Sequence, residues 1–138
     1  MPNYFTHFGV GVPLKDATQV QYALELAAKA VALRYEEDPA VPPEFPPDLV
    51  DVLEEWRFET EEDDTGIWLR SDDGGVDAAC AFIQHLLRRF DQQGCVKFQW
   101  SCDSFPPCVD AYRGGAAFIT AREIRTMRTG DWLDEQHA

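Results

Sequence analysis

The sequence of 138 residues predicts one α+β domain, a ferredoxin-like sandwich in which an antiparallel sheet of about five strands has two main helices on one face. Three observations lead to this prediction. Strand-like and helix-like stretches follow one another in the order βαββαβ, with one further strand-like stretch. Two helical stretches each have an apolar stripe. Hydrophobic residues make up 45% of the chain, which is enough for one core. Residues 1–138 are therefore treated as a single domain.

A strand is expected near the N-terminus. Residues 4–14 are aromatic or β-branched at alternate positions, which is typical of a half-buried strand. Gly9 and Gly11 weaken this strand and indicate a bulge or a close approach to its backbone. Pro13 ends the strand, because proline cannot donate a ladder hydrogen bond.

The first main helix and a proline-rich segment follow. The helix is capped by Asp16 or Thr18, has apolar residues at helical spacing and ends near Glu36. Residues 39–47 include five prolines, which exclude a regular helix and favour an extended crossing segment pinned by Phe45. A ligand for a proline-recognising domain is the alternative interpretation of this segment.

A short helix and a hairpin are expected next. Asp48 opens the helix, which runs through Glu55. Large apolar and polar residues alternate over residues 56–60 and 66–71, which predicts two strands. The acidic residues 61–65 between them are expected at the hairpin tip, where unpaired carboxylates remain in water.

The second half of the chain continues the same alternation. Residues 76–90 have the apolar stripe of the second main helix, which begins after a turn that contains two glycines. Residues 96–102 alternate strictly between apolar and polar, which predicts a half-buried strand. Residues 116–119 are expected to form a last strand that extends the sheet beside it.

The C-terminal part is expected to be helical. Thr120 and Glu123 have the spacing of a capping box, in which the threonine hydroxyl and the glutamate satisfy two free amides at the start of a helix. This pattern predicts a short helix to about Arg128. Trp132 and Leu133 are expected to dock the tail on the body of the domain.

The charge is concentrated in one segment. Residues 36–77 contain 16 of the 25 acidic residues and only two of the twelve basic ones, so this segment has a net charge of −14 and the other residues about +1. The total of −13 argues against direct binding to nucleic acid, whose phosphates need Lys and Arg, and against docking on an anionic membrane. We interpret the segment as a face for a basic protein, and a solvated loop that keeps the protein soluble is the alternative. The predicted partner-binding residues are the acidic residues of the hairpin and its flank, with one tryptophan beside them: Glu59, Glu61, Glu62, Asp63, Asp64, Trp68, Asp72 and Asp73.

Catalytic and metal-binding patterns are absent from the sequence. Cys95, Cys102 and Cys108 lack the close cysteine pairs of structural zinc sites, and no nucleophile motif accompanies the three histidines. No metal, cofactor or catalytic residue is therefore predicted. Cys80 and Cys102 are interpreted as small core residues, and Cys108, in a loop, as the most reactive thiol.

The N-terminus gives an expectation about location. Residues 1–8 lack the basic and apolar regions of a signal peptide, and no apolar run approaches the ~20 residues of a membrane span. A cytoplasmic protein with free thiols is therefore expected.

Patches of the chain resemble an uncharacterised family of small acidic proteins found in bacteriophages and bacterial mobile elements. The similar residues are Gly114-Gly115-Ala116-Ala117-Phe118-Ile119-Thr120-Ala121-Arg122-Glu123-Ile124, then Met127, Thr129, Trp132 and Leu133, together with Ile67-Trp68-Leu69 and Tyr4-Phe5-Thr6-His7-Phe8. The family has no assigned enzymatic activity, so the resemblance implies no active site. It implies a protein of phage or mobile-element origin that binds and blocks host machinery, including CRISPR effectors.

Three functional hypotheses follow from these observations. In the preferred one, the protein is a non-enzymatic inhibitor or modulator that binds a basic, nucleic-acid-handling host protein through the acidic segment, in the manner of a nucleic-acid mimic. In the second, it is a small enzyme or ligand-binding domain with a pocket near the loop of residues 104–115, close to Cys108 and Tyr112. In the third, exposed aromatic residues make it a structural or oligomeric accessory protein, and the oligomeric state stays open.

Overall fold

The computed structural model of the chain describes residues 3–36, 40–105 and 113–136. In chain order, the elements are β1 (Asn3–Pro13), α1 (Ala17–Arg34), a 3₁₀ helix (Pro47–Glu55), β2 (Glu59–Glu62), β3 (Gly66–Ser71), α2 (Val76–Phe90), β4 (Cys95–Phe105), β5 (Arg113–Thr120), β6 (Ile124–Arg128) and α3 (Thr129–Glu135). The predicted loop residues 106–112, which include Cys108 and Tyr112, lie outside the described residues.

The six strands form one open sheet in the order β2-β3-β1-β4-β5-β6, and every neighbouring pair is antiparallel. The first four strands and the helices α1 and α2 have the connections and strand order of a ferredoxin-like βαββαβ unit. The predicted fold class is confirmed, and β5 extends the sheet beside β4 as expected. The sheet has six strands instead of about five because β6 adds to the far side of β5.

The two faces of the sheet differ in what they contact. Side chains alternate across each strand, and the residues that face α1 and α2, such as Ile67, Phe98 and Ile119, are fully buried in one core. Four large apolar residues of the opposite parity are 37 to 46% exposed: Phe5, Trp68, Phe118 and Met127. This second side, opposite the two main helices, is called the open face below.

The first helix and the segment after it largely follow the sequence prediction. Asp16 caps α1, because its Oδ1 accepts a hydrogen bond of 3.0 Å from the amide of Gln19. Phe45 is buried and pins the proline-rich segment to the core. The next helix is a 3₁₀ helix that begins at Pro47, and Asp48 is not its cap.

Asp48 instead contacts a histidine that connects three helices. The Nδ1 atom of His85 on α2 lies 3.1 Å from Asp48 Oδ2, and its Nε2 atom lies 2.8 Å from the hydroxyl of Tyr22 on α1. Only 14% of the side chain of His85 is exposed, so this histidine lies between the helices and not on the outer surface of α2. These two contacts join α1, α2 and the 3₁₀ helix into one layer.

The predicted helix from Thr120 to about Arg128 is wrong. The hydroxyl of Thr120 does accept a hydrogen bond of 3.1 Å from the amide of Glu123, as in a capping box. The amide of Thr120, however, donates to the carbonyl of Glu123 at 2.9 Å, which closes a hairpin turn, and Ile124–Arg128 forms strand β6. The carboxylate of Glu123 pairs with Arg125 at 2.8 Å and does not reach back to the turn.

The C-terminal helix is not docked as expected. Trp132 is 52% exposed and Leu133 is 59% exposed, and α3 has no buried residue. Among the helices that the structure describes, none combines the length and apolar character needed to cross a lipid bilayer.

Candidate protein-binding surface

The acidic hairpin forms, but its boundaries differ from the predicted ones. Strand β2 spans Glu59–Glu62 and not residues 56–60, because Trp56 and Phe58 are buried in the core. Glu61 and Glu62 therefore lie on a strand at the edge of the sheet, and only residues 63–65 form the tip. We call Glu59, Glu61, Glu62, Asp63 and Asp64 the acidic strip.

Asp63 is the structural residue of the hairpin tip. Its Oδ1 atom accepts hydrogen bonds from the amides of Thr65 and Gly66, at 2.9 and 2.8 Å, and from the hydroxyl of Thr65 at 3.1 Å. The hydrogen bond from the Thr65 amide is the main cause that lowers the pKa of Asp63. Gly66 is required after it, since a Cβ atom there would lie 2.2 Å from the carbonyl oxygen of Val12. One predicted binding residue thus has a local role in the turn.

Two carboxylates of the acidic strip share one arginine on the open face. Arg70 on β3 lies opposite Glu59, and its Nη2 atom is 2.8 Å from Glu59 Oε2 and 3.2 Å from Glu61 Oε1. These groups are all more than half exposed, so such pairs contribute about 0–1 kcal/mol to stability. One guanidinium cannot neutralise two carboxylates, and this part of the strip keeps a net negative charge.

Glu62 and Asp64 are the free carboxylates of the strip. Both residues are exposed, and neither side chain has a hydrogen bond or ion pair within the part of the chain that the structure describes. They are therefore available to a cationic partner without loss of an internal contact.

Trp68 lies flat on the open face beside the acidic strip. It pairs with Glu61 on one side and with Gly11 on the other, and it is 39% exposed. A Cβ atom at Gly9 would lie 2.6 Å from Trp68 Cζ2, and one at Gly11 would lie 3.8 Å from Cε3. The indole thus packs over these two glycines, which is the close backbone approach that the sequence suggested.

Asp72 and Asp73 lie at the other end of β3. Asp72 accepts a hydrogen bond of 2.8 Å from His7 Nδ1, and Asp103 accepts one of 3.0 Å from His7 Nε2. The bond to Asp72 and then that to Asp103 raise the pKa of His7. Asp73 forms an isolated bridge with Thr6, and its amide donates to Ser71 Oγ at 3.0 Å. These two aspartates stabilise the junction between β3, β1 and β4.

A groove of about 740 Å³ runs between α1 and the edge strand β2. One wall is formed by α1 from Leu24 to Tyr35, and the other by residues 56–61, with Asp73 at the rim. Two side-chain polar atoms of lining residues, Trp56 Nε1 and Thr60 Oγ1, are shielded from solvent and have no hydrogen-bond partner within the ranges that the structure describes. No local sequence pattern identifies this groove, because its two walls come from separate segments of the chain.

A second cavity of about 460 Å³ lies where α2 begins. It is lined by Gly74 and Gly75, by Trp100 and Cys102 of β4 and by two arginines, Arg57 and Arg128. Both glycines have positive φ angles of 84° and 85°, which allows the tight entry into α2. The pocket that the sequence suggested near the loop of residues 104–115 is not tested, because residues 106–112 lie outside the described residues.

The described cysteines differ in burial, and the described His, Cys, Asp and Glu side chains form no group that could hold a metal ion. Burial raises the pKa of Cys80 to about 12, Cys102 is half-buried and Cys95 is exposed. Within residues 3–36, 40–105 and 113–136, no group of three His, Cys, Asp or Glu side chains could hold a metal ion. Cys108, predicted as the most reactive thiol, lies outside the described residues.

The structure places the predicted binding residues along one hairpin. The acidic strip and Trp68 are on or next to the edge strand, and Asp72 and Asp73 follow β3, two and three residues after Arg70, which pairs with Glu59. No sequence pattern indicates His7 and Arg70 as partners of these carboxylates, because only the strand register brings them together.

The fold and this surface together define an α+β domain of ferredoxin-like topology with an acidic edge hairpin. Comparison of the chain with protein-family models, with curated proteins and with solved structures gives no match.

Proposed function

We propose that the protein is a non-enzymatic binding protein that captures a basic, nucleic-acid-handling protein through the acidic strip and thereby inhibits or modulates it. The proposal depends on one observation, which is that the acidic strip has more carboxylates than internal cationic partners. Five carboxylates lie within one short hairpin, two of them share Arg70, and Glu62 and Asp64 have no partner among the described residues.

The geometry favours a partner that normally binds a polyanion. Glu59 and Glu61 point to the open face and Glu62 to the helix side, so the exposed carboxylates place negative charge on both sides of the edge strand. Such an edge complements a groove lined by Lys and Arg. The flat, partly exposed ring of Trp68 adds an aromatic anchor of the kind enriched in protein interfaces. The resemblance to small acidic phage proteins supports a cytoplasmic host defence complex, such as a CRISPR effector, as the target.

A charge-reversal experiment tests this proposal. The variant E62K/D64K changes the two carboxylates that have no internal contact, so the fold is expected to remain intact. The matched control D134K/E135K makes the same change in net charge on exposed residues of α3. Proteins retained from a host extract by each variant are identified by mass spectrometry, and duplex DNA is then added as a competitor.

The parent and the control are expected to retain the same basic proteins, and duplex DNA is expected to release them. Reversal of two contacting charges is expected to weaken capture by about tenfold or more, and added salt should weaken it further. Equal capture by the parent and E62K/D64K at about 0.15 M salt would rule out the acidic strip as the binding site.

The cavity next to Gly74 and Gly75 supports a second candidate function, a domain that binds a small polar ligand. The observation behind it is the mixed charge of the cavity of about 460 Å³, whose lining includes Arg57 and Arg128 together with the carboxylates of Glu55, Asp73 and Asp77. A panel of small metabolites that includes phosphates and carboxylates is expected to raise the melting temperature. If no compound does so, or if the R57A variant responds like the parent, this candidate fails.

A further inference from the structure

The outer edge of β2 has unpaired backbone groups. Strand β2 is at the end of the sheet, and β3 is its one partner among the described strands. In the part of the chain that the structure describes, no other backbone or side-chain group bonds to its main chain. A free strand edge is a template for another strand.

The register shows which groups face outward. The amide of Asp63 donates to the carbonyl of Gly66 at 3.0 Å, so Asp63 and Gly66 form a hydrogen-bonded position of the hairpin. Hydrogen-bonded and non-hydrogen-bonded positions alternate along an antiparallel pair. The backbone amide and carbonyl groups of Glu59 and Glu61 therefore bond to β3. The backbone amide and carbonyl groups of Thr60 and Glu62 point to the free edge.

The wall of the groove opposite this edge is apolar. Leu24, Ala27, Ala28 and Val31 lie along one side of α1 and line the groove. Ala27 also belongs to the stripe that α1 buries in the core, from Val20 to Leu33, whereas Ala28 is exposed and Val31 is 37% exposed. A helix with apolar residues beyond its buried stripe leaves a surface that another element can cover.

Two orphan polar atoms belong to residues that line the same groove. The indole nitrogen of Trp56, a residue only 1% exposed, and the hydroxyl of Thr60 have no hydrogen-bond partner among the described residues. A buried donor without a partner is destabilising, and nearly all such groups in folded proteins are satisfied. The backbone amide and carbonyl of Thr60, which point to the free edge of β2, lie beside the same groove.

The two sides of an added strand would meet different chemistry. Side chains that point to the open face would lie beside Glu59 and Glu61. Those that point to the helix side would lie beside Val31 and its apolar neighbours, with Glu62 at the end near the hairpin tip. Arg34 on the helix side is already held by the carbonyl of Trp56 at 2.8 Å. The edge thus favours a strand in which basic and aliphatic residues alternate.

We propose that the partner binds by strand addition: an extended basic segment pairs with the free edge of β2 and inserts its aliphatic side chains into the groove against α1. This inference rests on the proposed function and specifies the form of the partner's contact segment. The added strand is antiparallel to β2, as in every other pair of the sheet. It bonds to the backbone groups of Thr60 and Glu62 and places its cations beside Glu61 and Glu59.

Two isomers of one probe peptide test the backbone contact. The parent probe is a short peptide in which Lys and Val alternate. One isomer has N-methyl groups on the Val amides, which face β2 in the proposed complex, and the other has them on the Lys amides, which face away. Charge and composition are identical, so only strand pairing distinguishes the two isomers.

The Lys-methylated isomer is expected to bind like the parent probe in a titration followed by tryptophan fluorescence or NMR. The Val-methylated isomer is expected to bind at least about tenfold more weakly, because several backbone hydrogen bonds are lost together. Equal binding of the two isomers overturns strand addition, whatever the effect of charge.

A proline variant tests the same contact from the side of the protein. Thr60→Pro removes an amide that faces the free edge and leaves the ladder to β3 intact, which is the situation in which edge strands tolerate proline. Thr126→Pro is the matched control. The amide of Thr120 bonds to the carbonyl of Glu123, so Thr120 and Glu123 form a hydrogen-bonded position of the hairpin between β5 and β6. By the same alternation, the amide of Thr126 points to the free edge of β6. Only Thr60→Pro is expected to weaken binding of the parent probe.

The outcomes separate this inference from the function on which it rests. If E59Q/E61Q loses the probe while the isomers bind equally and Thr60→Pro binds like the parent, charge capture stands and strand addition is refuted. If E62K/D64K captures host proteins as the parent does, the proposed function is refuted. If E59Q/E61Q binds the probe as the parent does, strand addition with cations beside these two carboxylates is refuted.

Discussion

Trp68 and Gly9 provide a quantitative test of how the open face is packed. A Cβ atom at Gly9 would lie 2.6 Å from Trp68 Cζ2, so the ring would have to retreat by about 0.8 Å to reach ordinary van der Waals contact. Gly9→Ala is therefore expected to destabilise the parent protein. In a Trp68→Ala background the space is open, and the same substitution should become favourable because alanine loses less backbone entropy than glycine.

The magnitudes follow from the exposure of the indole. Trp68 is 39% exposed, so about three-fifths of a side chain that can bury 150–250 Å² is shielded, roughly 100–150 Å². At about 25 cal/mol per Å², its packing contributes at most about 2.5–4 kcal/mol, and the real unfolded chain reduces this value. We expect Trp68→Ala to cost about 1–3 kcal/mol and Gly9→Ala to cost about 1–2 kcal/mol in the parent, with a gain of about 0.5–1 kcal/mol in the Trp68→Ala background.

Urea unfolding of the parent, both single variants and the double variant measures the coupling. Circular dichroism is the suitable signal, since one variant removes a tryptophan. The two substitutions are expected to couple by about 1.5–3 kcal/mol, with a change of sign for Gly9→Ala. If their effects add to within about 0.5 kcal/mol, the ring does not rest on Gly9 and the described packing is refuted.

Three further predictions concern titratable side chains. Because burial raises the pKa of Cys80 to about 12, a thiol reagent at about pH 8 should modify exposed Cys95 in the native protein and Cys80 only after unfolding, and fast native modification of Cys80 would contradict this. The hydrogen bonds from His7 to its two aspartate partners raise its pKa above 6.5, so their contribution to stability is complete below pH 6.5 and is lost as the pH rises through the folded-state pKa. In the parent, the urea midpoint should decrease as the pH rises through this pKa, and His7→Gln should remove that decrease. An NMR titration that gives the His7 imidazole a pKa at or below 6.5 would refute the prediction. The amides of the hairpin tip lower the pKa of Asp63 below 3.8, so its contribution is present above pH 3.8 and is lost as the pH falls through the folded-state pKa. Asp63→Ala should lower the urea midpoint at neutral pH and make the midpoint less dependent on pH under acid conditions. An unchanged midpoint at neutral pH would show that the hairpin tip does not need this carboxylate.

The fold was predictable where local pattern and tertiary environment agree. Residues 96–102 alternate between apolar and polar, and β4 has the same alternation between the core and the open face. The error at Thr120 has a physical reason. A hydroxyl that accepts from the amide three residues later occurs in a helix cap and also in this hairpin turn, so the motif does not distinguish them. The free edge of β5 decides the outcome, since Ile124–Arg128 pairs with it, and that edge is not visible in the local sequence.

The sequence indicates which segment carries the acidic surface, but it does not indicate which side chains contact one another there. The count of carboxylates between Glu36 and Asp77 identified the acidic hairpin without a structure. The partners of His7 lie 65 and 96 residues away in the chain, and no sequence pattern brings them together. The groove likewise depends on how α1 lies beside β2, which is set by packing across the whole sheet.

The contacts of His85 couple the unfolding of α1, α2 and the 3₁₀ helix. Its bonds to Tyr22 and Asp48 close loops of 63 and 37 residues, so they exist only when all three helices are in place. A 3₁₀ helix of nine residues would fray readily by itself. Amide hydrogen exchange in this helix should therefore approach the rate set by global unfolding, and the layer should unfold as one cooperative unit.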